Sequence, residues 1–513
     1  MLNVGRSRRC RIGTSALAAL AVIAAGWPAH AAKKDDTIRF AYDQVLENID
    51  PYFNNVRLGV MASHSVWDTL IYRDPVTNEY KPQLATEWKW IDDKTLEVKL
   101  RQGVKFHTGE EFDADDVVYT MNFIGDAANK VVAQQNVNWV EKAEKVDKFT
   151  VRIKAKQPFP AAIEYLTGPI AIYPNEYHAK VGPKGMNEKP VGTGPYKVTE
   201  NVIGKVIKLE RNNAYWTGSQ KPKPTIEKLE IRMIPDRQTQ IAEMLSGGLD
   251  LVMNVAIEQA DQMKPVPNLA VTAGGTMRIV FLHMNTTAET PLPALRDIRV
   301  RQAINHAIDR DTMAKQLVGE GVIPISTICF PSQFGCTSEG AKTYAYDPAK
   351  AKALLAEAGF KDGFELDLYA YRERNQTEAM VNYLRAVGIK ANLKFMQYAA
   401  MREQNRANKA PITHQTWGSF SLNDVSASVS VYFKGIDDDV VKDPEIIQLL
   451  QKGDGTVDTA ARKVAYKQAL GLIAERAYTV PLYALTTYYV SAKELEFKAY
   501  ADELPRFWEM KWK

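Results

Sequence analysis

The chain has 513 residues, more than one hydrophobic core usually serves, so two or more domains are expected. With 45% hydrophobic and 25% charged residues the composition is ordinary for a globular protein and excludes wholesale disorder. The formal charge of +4 falls to 0 once Arg6, Arg8, Arg9 and Arg11 are set aside, which excludes a nucleic-acid or other polyanion partner held by bulk charge.

Those arginines are the basic region of a secretory signal over residues 1–31. An apolar run at 12–26 follows, too short for a comfortable membrane span. Ala29-His30-Ala31 supplies small residues at the two positions a signal peptidase reads, which puts cleavage before Ala32. Arg8-Arg9 raises the twin-arginine route as a lesser alternative, and Cys10 precedes the apolar run, where it cannot become a lipidated first residue. No later stretch is long and apolar enough to span a bilayer, so an exported, soluble, periplasmic protein is expected. In that compartment Cys329 and Cys336 are expected to form one disulfide.

In the mature chain, 37–42 reads as a first strand, followed by the loop LENIDPYFNN and a helix through Met61, Val66 and Leu70. A β-rich section follows, in which Trp88 and Trp90, then Leu96, Val98 and Leu100, alternate with polar residues around an Asp92-Asp93 turn. Asp113 is placed to cap a helix bearing Val117, Val118, Met121 and Ile124, and a hairpin-like pair spans VEKAEKVDKFTVRIKA. Gly192-Thr193-Gly194-Pro195-Tyr196 is a compact turn into a strand; 205–211 and 226–234 are further strands. Asp236 caps a helix that stops at Gly247-Gly248, with LDLVMNV as a short buried strand beyond.

The stretch 278–313 joins two textures. Its first part, 279–284, is a nearly continuous apolar run suited to a strand covered on both faces. Its second part puts Val300, Ile304, Ala307 and Ile308 on one side of a helix that Asp297 caps. Helices and strands then alternate: a helix from Asp347-Pro348 to Gly359, a strand at 364–369, a helix at 378–387 and a strand at 389–395. This βαβ order predicts a largely parallel sheet. A long helix covers roughly 458–476 and a last strand 479–485, before the tyrosine-rich LTTYYV.

Catalytic motifs are missing: no G-x-S-x-G elbow, H-E-x-x-H, Walker loop or paired C-x-x-C occurs. His107 with Glu110, Glu111 and Asp113 reads as a solvated loop and helix cap, and Asp437-Asp438-Asp439 lacks the spacing of a calcium loop. An enzyme, a cofactor and a resident metal are therefore not expected. An exported chain with two textures and no catalytic constellation fits ligand capture in a cleft between domains.

Five stretches then resemble one family, the bacterial extracellular solute-binding proteins of peptide, nickel and opine ABC importers. They are PQLATEWKWIDDKTLEVKLRQGVKFHTGEEFDADDVVYTM at 82–121, PVGTGPYKV at 190–198, LSGGLDLV at 245–252, VRQAINHAIDRD at 300–311 and DPAKAKALLAEAGFKDGFELDL at 347–368. The resemblance implies a two-lobe α/β periplasmic-binding-protein fold with an extra β-rich subdomain near 81–190. Lobe one would be 33–282 plus 487–513 and lobe two 283–486. Crossovers are implied at His283-Met284-Asn285 and Thr486-Thr487-Tyr488, with lobes that close by hinge motion. The implied partners are a small solute and an inner-membrane ABC permease, with the protein itself a monomer.

In peptide-binding members a tryptophan and an aspartate three residues on line the pocket, the carboxylate holding the peptide's α-ammonium. Trp417 matches the tryptophan, but Phe420 stands where the aspartate belongs and the nearest acid is Asp424. Either Asp424 serves or the ligand has no ammonium to bind. Arg372 and Arg374, after the strand at 364–369, are candidates for a ligand carboxylate, with surface pairs to Glu373 or Glu378 as the alternative. Asn48 and Tyr52 in the first loop, His283 and Asn285 at one crossover and Tyr488 at the other complete the candidate ligand-binding set. A peptide, opine or peptide-like solute is the principal expectation; a metal complex, haem or an oligosaccharide is the alternative on the same scaffold.

Overall fold

A computed structural model describes residues 35–513, except for the side chain of Phe420; the signal-peptide reading at 1–31 lies outside the described residues. One mixed sheet runs through the molecule. Its strand order is Ile389–Phe395, Phe364–Ala370, Ile412–Trp417, Leu269–Met284, Thr479–Ala492, Leu251–Val255, Thr37–Tyr42, Lys228–Met233, Val206–Arg211 and Tyr196–Val202. Among the described residues no helix is long and apolar enough to cross a membrane.

The two central strands carry the architecture. Leu269–Met284 and Thr479–Ala492 pair antiparallel along almost their whole lengths, broken by a register shift between Gly275 and Ile279. On one side of that break residues 269–275 pair with 486–492, whose far edge meets Leu251–Val255. On the other, residues 279–284 pair both with 479–484 and with Ile412–Trp417. The sheet thus changes neighbours at 275–279, ahead of 283–285 where the sequence suggests the first crossover. The second strand changes at 484–486, next to the expected 486–488. The stretch 269–278 is rich in Gly, Thr and Ala and lacks an apolar run, so it gives no period-two signal of a strand. Its order comes from main-chain pairing with 486–492.

The apolar run at 279–284 is covered on both faces as expected. Val280, Leu282 and Met284 enter one core with Val300, Ile304 and Leu384, while Ile279 and Phe281 enter another with Val429, Tyr466 and Ile473. Alternate side chains of a strand point to opposite faces, so two cores require an unbroken apolar sequence. The βαβ unit forms with its strands parallel (Phe364 beside Ile389, Leu368 beside Ile412), but this half of the sheet is mixed, because Leu269–Met284 runs antiparallel to both neighbours. The helix after Phe364–Ala370 starts at Arg374, four residues earlier than expected.

The other half holds a separate four-stranded antiparallel sheet, Ala85–Trp90, Thr95–Leu100, Thr150–Ala155 and Val140–Asp147 in spatial order, backed by Ala114–Gly125. Asp113 caps that helix in a capping box with Asp116. The turn at 192–196 tucks under the helix Arg57–Val66. A Cβ on Gly192 would stand 2.2 Å from Val66 O and one on Gly194 2.5 Å from Val66 C, so only glycine allows this approach. Cys329 and Cys336 are joined by a disulfide.

Candidate functional site

Between the two halves of the sheet lies a cavity with one broad wall and one narrow lid. The wall comes from the turn after the first strand, the helix Arg57–Val66, the turn at 164–169 and the C-terminal stretch at 502–508. The lid is the loop after Ile412–Trp417, through Ser421 and Leu422.

Buried polar groups set the wall. Asp50 accepts hydrogen bonds from Tyr52 N at 3.0 Å and Tyr173 Oη at 2.5 Å, and its carbonyl accepts from Asn54 Nδ2 at 2.8 Å. Burial pushes the Asp50 carboxyl up to about 7. This turn holds Asn54 against Gly59, where a Cβ would stand 2.0 Å from Asn54 Oδ1. Three cations on the wall are each matched by a carboxylate: Arg73 by Glu164 at 3.2 Å, Lys221 by Asp68 at 3.0 Å and Arg506 by Asp502 at 2.7 Å. Burial works to raise the Asp502 carboxyl, and Arg506 overcomes it to hold the group well below the usual range. Lys221 also donates to His64 O and Trp67 O, both at 2.8 Å. Burial first, then Lys221 and Arg506, lower the His64 imidazole to about 3, so it is neutral at neutral pH.

The lid is tied to the wall by direct hydrogen bonds. Arg57 Nη1 donates to Ser421 Oγ at 2.7 Å, and that hydroxyl donates to Asp502 O at 2.7 Å. Arg73 Nη2 donates to Ser421 O at 2.8 Å, and Asn423 N donates to Glu164 Oε1 at 2.7 Å. Ser419 and Ser421 have φ of 45° and 65°, a left-handed backbone that costs a non-glycine residue free energy and persists where surrounding contacts hold it.

None of the described side chains among the sequence candidates stands on this wall or lid. Trp417 Nε1 donates to Ala427 O at 2.6 Å and its ring meets Tyr432 edge-on at 5.9 Å. His283 packs on the same Tyr432 at 5.5 Å and on Phe433 at 5.1 Å; both its ring nitrogens are buried without a partner, and burial lowers it to about 3. Trp417 and His283 are therefore brought together inside an aromatic core, behind the lid. Asp424 accepts from Arg462 Nη2 at 2.9 Å on both oxygens and from Ser426 N at 3.0 Å. Asn285 Nδ2 donates to Asn408 Oδ1 at 3.1 Å.

Near the first strand, Asn48 Oδ1 accepts from Asp50 N at 2.9 Å, and Tyr52 donates to Ala171 O from a buried position beside Tyr173. Tyr488 is buried and its hydroxyl donates to Val318 O at 3.3 Å. Arg372 and Arg374 lie outside, 47% and 61% exposed, beside Glu373 at 3.6 Å and Glu378 at 2.8 Å. The side chain of Phe420 is not among those described. Of the two acidic clusters, Asp113 is a helix cap and Asp438 pairs with Arg402 and Arg406.

The residues that build the cavity escape sequence reasoning because they come from six separate segments of the chain. Glu164 and Asn423 are 259 positions apart, and Arg57 and Ser421 364. Two local signals were present: Asn54-Asn55 at the end of the first loop, and the basic-aromatic Arg506-Phe507-Trp508 near the C-terminus.

The description of the bacterial extracellular solute-binding proteins, family 5 (middle region), matches residues 79–439, well over half the chain. The chain is 29% identical over 382 residues to the glutathione-binding protein GsiB of Salmonella paratyphi A, covering 74% of this chain and 72% of the relative. The structure of HbpA2 from Haemophilus parasuis superimposes with a TM-score of 0.82 at 23% identity, covering 93% of this chain and all of the other. The binding protein AgaA from A. tumefaciens R10, in complex with agropinic acid, superimposes with a TM-score of 0.71 at 25% identity, covering 93% and 99%.

Proposed function

This chain belongs to family 5 of the bacterial extracellular solute-binding proteins, and from that premise we propose that it is the periplasmic solute-binding component of an ABC importer, capturing a peptide-like solute between two lobes and presenting it to a permease in the inner membrane. The observation that carries the reading is the lid. A loop of one half of the molecule reaches the wall of the other through Arg57, Arg73, Glu164 and the Asp502 carbonyl, over a space of molecular size. Such bonds form only when the halves approach, so they favour the closed state that a trapped solute also favours.

The solute contacts, on this reading, come from the wall: Asn54, His64, Tyr72, Arg73 and Trp508, with Ser421 and Leu422 above. Trp417, Asp424 and His283 support the lid from behind. The wall's cations already have carboxylate partners, which leaves neutral hydrogen-bonding groups and aromatic faces to meet most of the solute. Relatives named for glutathione and agropinic acid favour a peptide or opine over a saccharide.

A thermal-shift and calorimetric panel of di- to tetrapeptides, glutathione, opines, oligosaccharides and nickel or haem complexes tests this. A peptide-like binder present at about a hundred times its Kd should add about 2.7 kcal/mol to unfolding. If only oligosaccharides or metal complexes raise the midpoint, the peptide-like reading is wrong. If nothing in the panel does, solute capture itself is in question.

A further inference from the structure

The solute cavity matches the cations of its wall with carboxylates. A smaller cavity, in the half that carries the lid, does not. It opens between the end of the helix Ile298–Ala307, Arg310, the loop at 342–344 and the start of the strand Thr479–Ala492. Its volume is about 70 Å³, several times what one water occupies. Arg310 and Lys342 line it, and among the described residues no acid does. None of its lining residues lines the solute cavity.

Arg310 is held by neutral groups. Its Nε donates to Pro481 O at 2.8 Å, Nη1 to Tyr344 O at 2.9 Å and Nη2 to Asn305 Oδ1 at 2.8 Å, which leaves two of the five N–H groups of the guanidinium. Lys342 is exposed, its Nζ 5.4 Å from the centre of the Tyr344 ring, so both cations converge on one residue. Neither forms an ion pair with a described carboxylate. Arg301, bonded to the carbonyls of Arg476, Leu295 and Arg296, adds a third positive charge acting on Tyr344. The acids whose fields reach Arg310 and Tyr344 are Asp311 and Glu475, and neither lines the cavity. The hydroxyls of Ser326, Thr343 and Thr479 line it too and bond to no other described group. Thr479 is buried while Ser326 and Thr343 are exposed, so these hydroxyls run from the inner end to the mouth. Cations and free hydroxyls without an acid suit an oxyanion: the guanidinium meets its oxygens in a fork, the ammonium as a point charge.

We propose that this second cavity is an oxyanion site, taking a phosphate group between Arg310 and Lys342 independently of the solute. The phosphate is either a free ion or the headgroup of a phospholipid, and the two share the chemistry that these residues recognise. An anion bound here links the loop at 342–344 to Arg310, so it stabilises the folded chain.

The test titrates sodium phosphate into the full mature protein at constant ionic strength, balanced with sodium chloride, and follows the melting midpoint and the heat of binding. Wild type is expected to bind phosphate with a Kd of about 1 mM or tighter and to melt higher as phosphate rises. Lys342→Glu alters an exposed side chain with no ion pair, so it should fold as wild type does. It is expected to weaken phosphate binding by about tenfold or more, the worth of a charge-assisted hydrogen bond. Lys180→Glu makes the same charge change on the exposed face of the helix Asn175–Glu188 and should keep the wild-type response. Flotation with phosphatidylglycerol vesicles, against phosphatidylcholine, separates the two sources. Co-flotation that Lys342→Glu abolishes assigns the site to a headgroup; phosphate binding without co-flotation assigns it to the free ion. No response to phosphate beyond that to chloride overturns the site. An equal response in wild type and Lys342→Glu, or an equal loss in Lys180→Glu, shows a salt effect on the whole protein and overturns it as well.

Discussion

Two buried carboxylates, Asp424 and Glu164, face each other's halves of the molecule with the same chemistry and opposite consequences. Asp424 and Arg462 are each 4% exposed and lie in one half, the arginine held further by Gly453 O and stacked 4.6 Å over Phe334. Glu164 and Arg73 are 2% and 9% exposed and lie in the other, but both also reach the lid, at Asn423 N and Ser421 O. Burial pushes both carboxyls up and the arginine beside each opposes it. What separates them is where the remaining hydrogen bonds go. A pair whose bonds all close within one half stabilises that half, whereas a pair with bonds across the gap changes its energy when the gap opens. Charge and burial alone do not distinguish a structural ion pair from a latch.

The largest effect should come from breaking the first pair. Arg462→Met leaves Asp424 buried without its cation and should cost about 3–5 kcal/mol in a denaturant titration. Adding Asp424→Leu should recover most of that loss, since well-packed apolar replacements of a buried pair are often neutral or better. If the single variant is as stable as wild type, Asp424 is not held as described.

Removing the disulfide sharpens the same side of the comparison. Cys329–Cys336 closes a seven-residue separation around Phe334, whose N–H and C=O bond to Asn423 and Val425 beside Asp424. Replacing both cysteines by serine should cost about 2–3 kcal/mol, by the loop-entropy relation, seen as a lowered unfolding midpoint with peptide affinity largely kept.

Breaking the second pair should act on closure instead. Glu164→Gln preserves shape and an acceptor for Asn423 but removes the charge that Arg73 and Tyr80 meet. Its cost is expected to be about 1–2 kcal/mol, read as roughly tenfold weaker peptide binding. Small-angle scattering of the solute-free protein should show a more open average. A loss of stability equal to that of Arg462→Met, with unchanged affinity, would make Glu164 structural after all.

The smallest effect belongs to the exposed arginines. Arg372→Ala with Arg374→Ala removes two surface pairs and should change stability by less than about 0.5 kcal/mol, with peptide affinity unaltered. A tenfold loss of affinity would instead bring these arginines into the site.

Much of the fold could be read before any coordinates. The capped helices after Asp113, Asp236, Asp297 and Asp347 stand where their caps predict, because capping is a contact between near neighbours. The doubly covered run at 279–284 and the Cys329–Cys336 bond also follow from local pattern and compartment. Less legible was the continuation of one strand through 269–278, whose many small and polar residues pair through the main chain with 486–492. The candidate site was the least legible part. The family resemblance points to Trp417 and Asp424 as pocket residues, yet Trp417 donates to Ala427 O and Asp424 accepts from Arg462.

The sequence by itself determined the family, the two textures and the α/β class, because periodicity, capping and motif order are properties of neighbouring residues. Only the tertiary structure decided which polar groups meet at the cavity. Arg57, Arg73, Glu164, Ser421 and Asp502 come from segments hundreds of positions apart, and buried electrostatics depends on distance through space rather than along the chain.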